Sequence, residues 1–282
     1  MKILLATDLS ERSDRALRRA VLLCKKLGGE LRALHAVDDT LPSVIAKEVK
    51  SNAASFLREQ IAALDANVAT TAKVDVRFGH PWETIVEAAN EGGPDLVVMG
   101  VHRNRGIADL FAGTTLHRVA RAIDKPVLAV RRDPVGNYRN VIVGTDLSKS
   151  AAAAAELALK LSNPEALRFV QSYHIPFKGL VMRTDGRGDI SARERKQVED
   201  PIRKDLSEWI KSLPQELHRV RSEIREGGPI RVLEDIVLRN DADLLAIGQH
   251  SRSGLVEAFL GSVAKELMSS MPTDLLLAPA HT

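Results

Sequence analysis

Hydrophobic positions along the chain form short apolar runs that alternate with longer amphipathic stretches. In the first half the apolar runs predict strands at 2–7, 30–37, 74–79, 95–100 and 126–130. Between them apolar residues recur at helical spacing, which predicts helices at 10–27, 42–65, 82–92 and 114–123. Fully apolar strands that alternate with helices are typical of a parallel sheet covered on both faces. The pattern therefore predicts a doubly wound α/β domain with right-handed crossovers.

The same pattern is written twice. ILLATDLS (3–10) returns as VIVGTDLS (141–148), and DLVVMG (95–100) returns as DLLAIG (243–248). The strands of the second copy are predicted at 140–145, 166–173, 219–226, 243–248 and 274–278. We therefore interpret the chain as one domain duplicated, with domains at 1–132 and 139–282.

Two further segments separate the repeated elements. The linker between the copies lies at about 131–139, where Pro134 and Gly136 interrupt regular structure. The extra length of the second copy falls in 175–200, which is polar and lacks a clean apolar period. We expect an exposed, mobile loop there that leads into a helix from about 190 to 212.

Composition narrows the class of protein. Hydrophobic residues make up 44% and charged residues 27% of the chain, as in soluble globular proteins. The net charge of +3 comes from 40 basic and 37 acidic residues that are well mixed, without interleaved aromatics, which argues against nucleic-acid binding. No apolar run is long enough to span a membrane, and the single cysteine, Cys24, fits a reducing compartment. The cytoplasm is the expected location.

Candidate binding residues follow the first strand of each copy, because ligands of open α/β sheets sit beyond the carboxyl ends of the strands. Thr7 and Asp8, repeated as Thr145 and Asp146, stand there. A carboxylate at this place can accept hydrogen bonds from an adenine amino group or a ribose hydroxyl. The same residues, with the serines that follow, also suit the N-cap of the next helix, and the spacing favours capping.

A second candidate region follows the fourth strand. GVHRNRGIADLFAGTT (100–115) and GQHSRSGLVEAFLGSV (248–263) each end in glycine and a hydroxyl residue before a predicted helix. Backbone N–H groups and the helix dipole favour an anion there. The alternative is that Thr114 and Ser262 only cap the helix, and because such pairs are common this alternative is preferred.

Catalytic and metal-binding patterns are absent from the sequence. His102 and His250 occupy matching positions, but no histidine, cysteine or glutamate stands at ligand spacing beside either. Neither G-x-x-x-x-G-K-[ST] nor G-x-G-x-x-G occurs. We predict no catalytic residue and no metal ligand, and leave slow ATP hydrolysis open.

Together these residues resemble the universal stress protein family. The resemblance rests on TDLS after the first strand and on the frame Gly100-x2-Arg103-x9-Gly113-Thr114 before PVLAV, repeated as Gly248-x2-Ser251-x9-Gly261-Ser262. It covers nearly the whole chain. It implies five parallel strands per domain and pairing of the two domains through their last strands about a pseudo-twofold axis.

The resemblance also implies a ligand, an adenine nucleotide such as ATP with Mg²⁺, in at least one domain. The family's nucleotide-binding pattern, G-x2-G-x9-G-[ST], has glycine where Arg103 and Ser251 stand here, and the small serine slightly favours the second copy. Adenosine contacts carried over by position are Ala6, Thr7, Asp8, Ala36 and Met99, with Gly144, Thr145, Asp146, Tyr173 and Ile247 in the second copy. Phosphate contacts are Gly100, Arg103, Gly113, Thr114 and Thr115, with Gly248, Ser251, Gly261, Ser262 and Val263 in the second copy.

Three classes of function stay open at this point, of which an enzyme on a related adenine-nucleotide α/β fold has the least support, because no catalytic motif is visible. The first is a nucleotide-binding regulator of stress tolerance with unidentified protein partners. The second is an interaction or scaffold protein of the same fold that binds no nucleotide. The duplication satisfies the domain pairing within one chain, and a further homodimer is not excluded.

Overall fold

The structure, a computed structural model, describes residues 1–37, 43–101, 115–175, 192–249 and 260–280. The strands of domain one are β1 Lys2–Thr7, β2 Glu30–Val37, β3 Lys73–Phe78, β4 Leu96–Gly100 and β5 Val127–Val130. Its helices are α1 Glu11–Leu27, α2 Ser43–Leu64, α3 Ala66–Thr71, α4 Pro81–Gly92 and α5 Thr115–Ala122.

Domain two repeats this plan. Its strands are β6 Val141–Gly144, β7 Leu167–Tyr173, β8 Arg221–Glu226, β9 Leu244–Gly248 and β10 Asp274–Ala278. Its α-helices are α6 Lys149–Leu161, α7 Ala192–Lys211, α8 Pro229–Arg239 and α9 Ser262–Ser270. Two short 3₁₀ turns, Pro164–Ala166 and Gln215–Leu217, precede β7 and β8. The predicted α/β class is confirmed.

All ten strands join one sheet in the order β3-β2-β1-β4-β5-β10-β9-β6-β7-β8. Neighbouring strands within each domain are parallel, whereas β5 and β10 pair antiparallel across the domain boundary. Leu128 pairs with Leu276, its own counterpart in the repeat, and Ala129 and Val127 pair with Leu275 and Leu277, so that each pairs with the counterpart of the other. The two domains pair through their last strands, as the resemblance implies.

Alternation along the strands separates the core into two apolar layers. Ile3 and Leu5 of β1 pack on one face with α1, and the corresponding layer of domain two lies under α6. Leu4 and Ala6 pack on the other face with α4 and α5, and α8 and α9 cover that face in domain two. Among the described residues, no helix is both long and apolar enough to cross a membrane.

Most predicted elements begin and end within two residues of the observed ones, but α3 was not predicted. Asp65 ends the predicted helix at 42–65, and its carboxylate accepts hydrogen bonds from the Asn67 and Val68 backbone amides. The side chain therefore caps a second, six-residue helix after a break in the first. Residues 176–191, the greater part of the predicted loop, lie outside the described residues, and α7 follows them.

A buried polar cluster holds the linker between the domains. The Asp274 carboxylate, with no exposed surface, accepts hydrogen bonds from the Tyr138 hydroxyl at 2.7 Å and from the Arg131 and Arg132 backbone amides. Arg19 of α1 lies 3.6 Å from the same carboxylate, and its guanidinium stacks over the Tyr138 ring. Domain one, the linker and domain two therefore meet at a single carboxylate.

Candidate functional site

A cavity of about 250 Å³ opens at the carboxyl ends of β1, β2 and β4. In the sheet β1 lies between β2 and β4, so the strand order reverses direction there, and this is the place where open α/β sheets bind ligands. The cavity is lined by seven of the ten predicted first-copy residues, namely Ala6, Thr7, Asp8, Ala36, Met99, Gly100 and Thr115. The other three, Arg103, Gly113 and Thr114, lie outside the described residues.

The TDLS segments form the same tight turn in both domains. The Thr7 hydroxyl accepts a hydrogen bond from the Leu9 amide at 3.1 Å, and the Thr145 hydroxyl accepts one from the Leu147 amide at 2.9 Å. Leu9 and Leu147 adopt positive φ, 62° and 65°, a conformation that is costly for a residue other than glycine. Such strain recurs at sites where the chain must present particular groups.

The aspartate of the turn has a different environment in each domain. Asp8 Oδ1 accepts hydrogen bonds from the Ser10 amide at 3.0 Å and from the hydroxyls of Ser10 and Ser13 at 2.5 and 2.6 Å. In domain two alanine replaces Ser13, and Ser148 instead caps α6 by accepting from the Ala151 amide at 3.1 Å. Ser10 occupies the N-cap position of α1 but makes no side-chain capping bond. The first-copy carboxylate is thus held at the cavity by hydroxyl groups.

Gly100 and Gly248 allow close packing between strand and helix. A Cβ added at Gly100 would lie 2.9 Å from the Arg12 carbonyl oxygen in α1. One added at Gly248 would lie 2.8 Å from the Ala151 amide nitrogen in α6. Both positions therefore require glycine because α1 in domain one and α6 in domain two cross the strand end at this point.

The start of α9 corrects one of the sequence expectations. The helix begins at Ser262, its N-cap is Gly261, and no side chain makes a capping bond there. Ser262 is therefore not the N-cap residue, and the expectation that its side chain only caps this helix is wrong for domain two. The Gly261 amide donates to the Gln249 carbonyl at 3.0 Å, which fixes the chain at the helix entrance. Val263 follows within the first turn of this helix.

The counterpart region of domain two is packed differently. Thr145 and Asp146 form the repeated turn, but the space above Gly144 is occupied. A Cβ added at Gly144 would lie 3.0 Å from side-chain carbons of both Leu233 and Ile247. In domain one the matching residue is Ala6, whose side chain lines the cavity.

Tyr173 is not the counterpart of Ala36, which corrects the sequence alignment by one residue. Ala6 pairs with Leu34 and Gly144 pairs with Val170, so Ser172 corresponds to Ala36 and Tyr173 corresponds to Val37. Because side chains alternate along a strand, a shift by one residue moves a side chain to the other face of the sheet. Tyr173 packs in the layer beneath α6 and α7, and its hydroxyl donates to Glu199 of α7.

Nine residues that the sequence did not single out also line the cavity, among them three on the helices beside the domain boundary. His117 comes from α5, whereas Met268 and Ser269 come from α9 of domain two. Burial is the main cause that lowers the pKa of His117, its hydrogen bond to the Lys265 carbonyl opposes this, and the positive charges of Lys265 and Arg131 lower the pKa further. A motif within one copy cannot reveal residues contributed by the other copy.

Metal ligands were not predicted, and the described parts of the chain offer little to hold one. Within the described residues, no group of three or more histidine, cysteine, aspartate or glutamate side chains is placed to hold a metal ion. His102 and His250 lie outside those residues. The arrangement suits an organic ligand that lies between apolar walls and polar strand ends.

Comparison with known proteins places the chain in a family. The sequence model of the universal stress protein family matches residues 1–131 and 137–279. Universal stress protein E of Escherichia coli is 25% identical over 301 aligned positions, covering 98% of this chain and 92% of that protein. A universal stress protein of Methanocaldococcus jannaschii is 24% identical over 158 positions and matches 46% of this chain. The crystal structure of a universal stress protein from Archaeoglobus fulgidus superposes with a TM-score of 0.69 at 20% identity, covering 99% of this chain and 98% of that one. The chain belongs to the universal stress protein family and carries two of its domains in tandem.

Proposed function

We propose that this protein regulates stress tolerance by binding an adenine nucleotide, ATP with Mg²⁺, in the cavity of domain one. The observation that carries the proposal is the convergence of seven predicted contact residues, from three strands and one helix, on one cavity. Nucleotide occupancy would then control a surface that unidentified protein partners recognise. We place this activity in the cytoplasm, a compartment that the single, buried cysteine fits.

The walls of the cavity suit the adenosine part of the ligand. Leu34, Ile85 and Met99 are apolar, and the small side chains of Ala6 and Ala36 leave room between them for a planar base. The volume of about 250 Å³ lies slightly below that of a typical pocket for a whole small molecule, roughly 300–1,000 Å³. A nucleoside therefore fills it, and the phosphates extend beyond it.

Polar groups stand at the edge of the cavity. The Asp8 carboxylate is oriented by Ser10 and Ser13 and can accept a hydrogen bond from a ribose hydroxyl or an adenine amino group. Thr115 begins α5, where backbone amides and the helix dipole favour an anion. Contacts of Arg103, Gly113 and Thr114 with the phosphates and the accompanying Mg²⁺ belong to the same proposal.

Domain one is proposed as the principal site, although the small Ser251 favours domain two. The reason is that a cavity lies beside Ala6, whereas a Cβ added at the matching Gly144 would lie 3.0 Å from side-chain carbons of Leu233 and Ile247.

Calorimetric titration of ligand-stripped protein with Mg²⁺–ATP tests the proposal. Ala36→Trp fills the domain-one cavity, and Ser172→Trp is the matched change at its counterpart in domain two. We expect micromolar binding by the wild type, weakened about tenfold or more by Ala36→Trp and unchanged by Ser172→Trp, where tenfold corresponds to about 1.4 kcal/mol.

The other outcomes are equally informative. Loss of binding in Ser172→Trp alone would move the site to domain two. No binding by the wild type would contradict the proposal and favour the scaffold function, in which the same fold acts through its surface alone. Slow release of phosphate from bound ATP, measured on the same samples, would add a hydrolytic step to the proposed binding.

A further inference from the structure

One wall of the domain-one cavity belongs to the other domain. Met268 and Ser269, in the last turn of α9, line the cavity together with His117 and the strand ends of domain one. Met268 is 1% exposed and Ser269 is exposed at the rim. The cavity is therefore incomplete without domain two.

Several contacts fix this wall in place. His117 Nε2 lies 3.3 Å from the Lys265 carbonyl oxygen, to which it donates in the Nε2-protonated state, and 3.5 Å from the Ser269 hydroxyl. The Arg131 guanidinium donates to the Met268 carbonyl oxygen. On the other side of the interface, the buried Gln249 side chain donates to the Ala120 carbonyl oxygen in α5. Helices α5 and α9 are thus joined by polar contacts beside the cavity.

We propose that a nucleotide bound in domain one contacts domain two directly, through Met268 and Ser269, and thereby stabilises the docking of α9 against α5. This inference rests on the proposed function. Ligand binding and domain docking are then linked, and each strengthens the other by the same free energy. The last turn of α9 is the element through which domain two senses the occupancy of domain one.

Helix α5 of domain one carries different side chains at the positions that match Met268 and Ser269 of α9. The positions in α5 that correspond to Met268 and Ser269 are Ala120 and Arg121. Ala120 is fully buried, so domain one offers domain two a smaller side chain and a charged one where domain two offers methionine and serine. The two-domain wall proposed for the cavity of domain one is therefore not reproduced with the same side chains in domain two.

Two measurements on the full chain test the inference. The first compares Ser269→Trp with Ser270→Trp, its exposed neighbour that does not line the cavity, by titration with Mg²⁺–ATP. We expect Ser269→Trp to weaken binding about tenfold or more through steric overlap, and Ser270→Trp to change it less than about twofold. The second follows amide hydrogen exchange with and without Mg²⁺–ATP. We expect slower exchange in α9 (262–270) and unchanged exchange in α8 (229–239).

Each result decides the question. The inference is overturned if the two tryptophan variants bind Mg²⁺–ATP with equal affinity, or if exchange of α9 is unchanged in the nucleotide complex. In either case, binding of Mg²⁺–ATP by the wild type would leave the proposed function intact. If the wild type binds no Mg²⁺–ATP, both are overturned. Tighter binding by the wild type than by Ser269→Trp, together with slower amide exchange of α9 in the nucleotide complex, supports the two-domain site.

Discussion

The two copies of this domain keep the same turn after their first strand and differ in what lies above it. In domain one the turn faces an open cavity beside Ala6, and the carboxylate of Asp8 is held there by two serine hydroxyls. In domain two Leu233 and Ile247 crowd Gly144, and Ser148 caps the helix instead. Duplication thus preserved the backbone turn, while the side chains around it differ between the two domains.

A second difference lies at the domain boundary. Where domain one has Pro126 directly before its last strand, domain two has Asp274, and the carboxylate binds the linker and Arg19. The structure shows that this aspartate joins the two domains.

The largest effect is expected when this carboxylate is removed. Asp274→Ala leaves the buried Tyr138 hydroxyl without its acceptor and the buried Arg19 guanidinium without its ion-pair partner, and loss of one partner of a buried ion pair costs about 3–5 kcal/mol. Pro126→Ala at the matched position should cost less than about 1 kcal/mol. Urea unfolding followed by circular dichroism measures both, and equal effects would contradict the role given to Asp274.

The pH dependence of folding stability gives a second test of the role of Asp274. Burial is the largest influence on Asp274 and raises its pKa, although hydrogen bonds from Arg131, Tyr138 and Arg132 and the charge of Arg19 oppose it. A carboxyl with a raised pKa contributes stability that is fully present below its ordinary pKa of 3.8 and is lost as pH rises through the folded-state pKa. The stability of the wild type relative to Asp274→Asn should therefore fall as pH rises from about 4 toward 7.

The two strand-end glycines offer the next comparison. Gly248→Ala would bring Cβ within 2.8 Å of the Ala151 nitrogen, and Gly100→Ala would bring it within 2.9 Å of the Arg12 oxygen and 3.2 Å of the Ser13 Cα. In domain two the added carbon also collides with Ser150. We expect a loss of about 2 kcal/mol for Gly248→Ala and about 1 kcal/mol for Gly100→Ala, within the range for overpacking. Thermal unfolding measures the difference, and a larger loss at Gly100 would contradict it.

Substitution of Gly144 by alanine, the residue that domain one has at the matching position Ala6, tests the packing above the first strand of domain two. Gly144→Ala gives domain two the residue of domain one and should destabilise by about 1 kcal/mol, because Leu233 and Ile247 leave 3.0 Å for the new carbon. Adding Leu233→Ala to Gly144→Ala should relieve the crowding, so the two changes together should cost less than the sum of the single changes. Strict additivity in urea unfolding would show that these side chains do not fill the counterpart of the cavity.

The smallest effect is expected at the helix caps. Ser148→Ala removes the capping bond to the Ala151 amide and should cost about 1 kcal/mol. Ser10→Ala removes no capping bond and only an exposed hydrogen bond to Asp8, so about 0.5 kcal/mol is expected. Midpoints of thermal unfolding distinguish the two variants. A greater loss for Ser10→Ala would reverse the roles assigned to these serines.

Much of the fold follows from local patterns that the sequence displays. Apolar runs and helical periods located the strands and most helices, because burial on both faces of a parallel sheet demands those patterns over many residues. The break at Asp65 escaped notice, since an aspartate at a helix end and one that caps the next helix look alike in sequence. The turn residues Thr7 and Asp8 were found because they follow the first strand, at the edge where open α/β sheets bind ligands.

The one-residue error at Tyr173 shows where the sequence stops being informative. Only the pairing of β6 with β7 fixes which residue of β7 corresponds to Ala36, and a shift by one reverses the face. Strand register is set by neighbours distant in the chain, so no local pattern reveals it.

By itself the sequence determined the duplicated α/β plan, the family and the strand-end residues that line the cavity, since these depend on periodicity and on short motifs. Only the tertiary structure showed that Leu233 packs against Gly144 from a helix far along the chain. It also decided that Met268 and Ser269 complete the first site and that Asp274 anchors the linker. The physical reason is the same in each case: packing and hydrogen bonding act between residues close in space, whatever their separation along the chain.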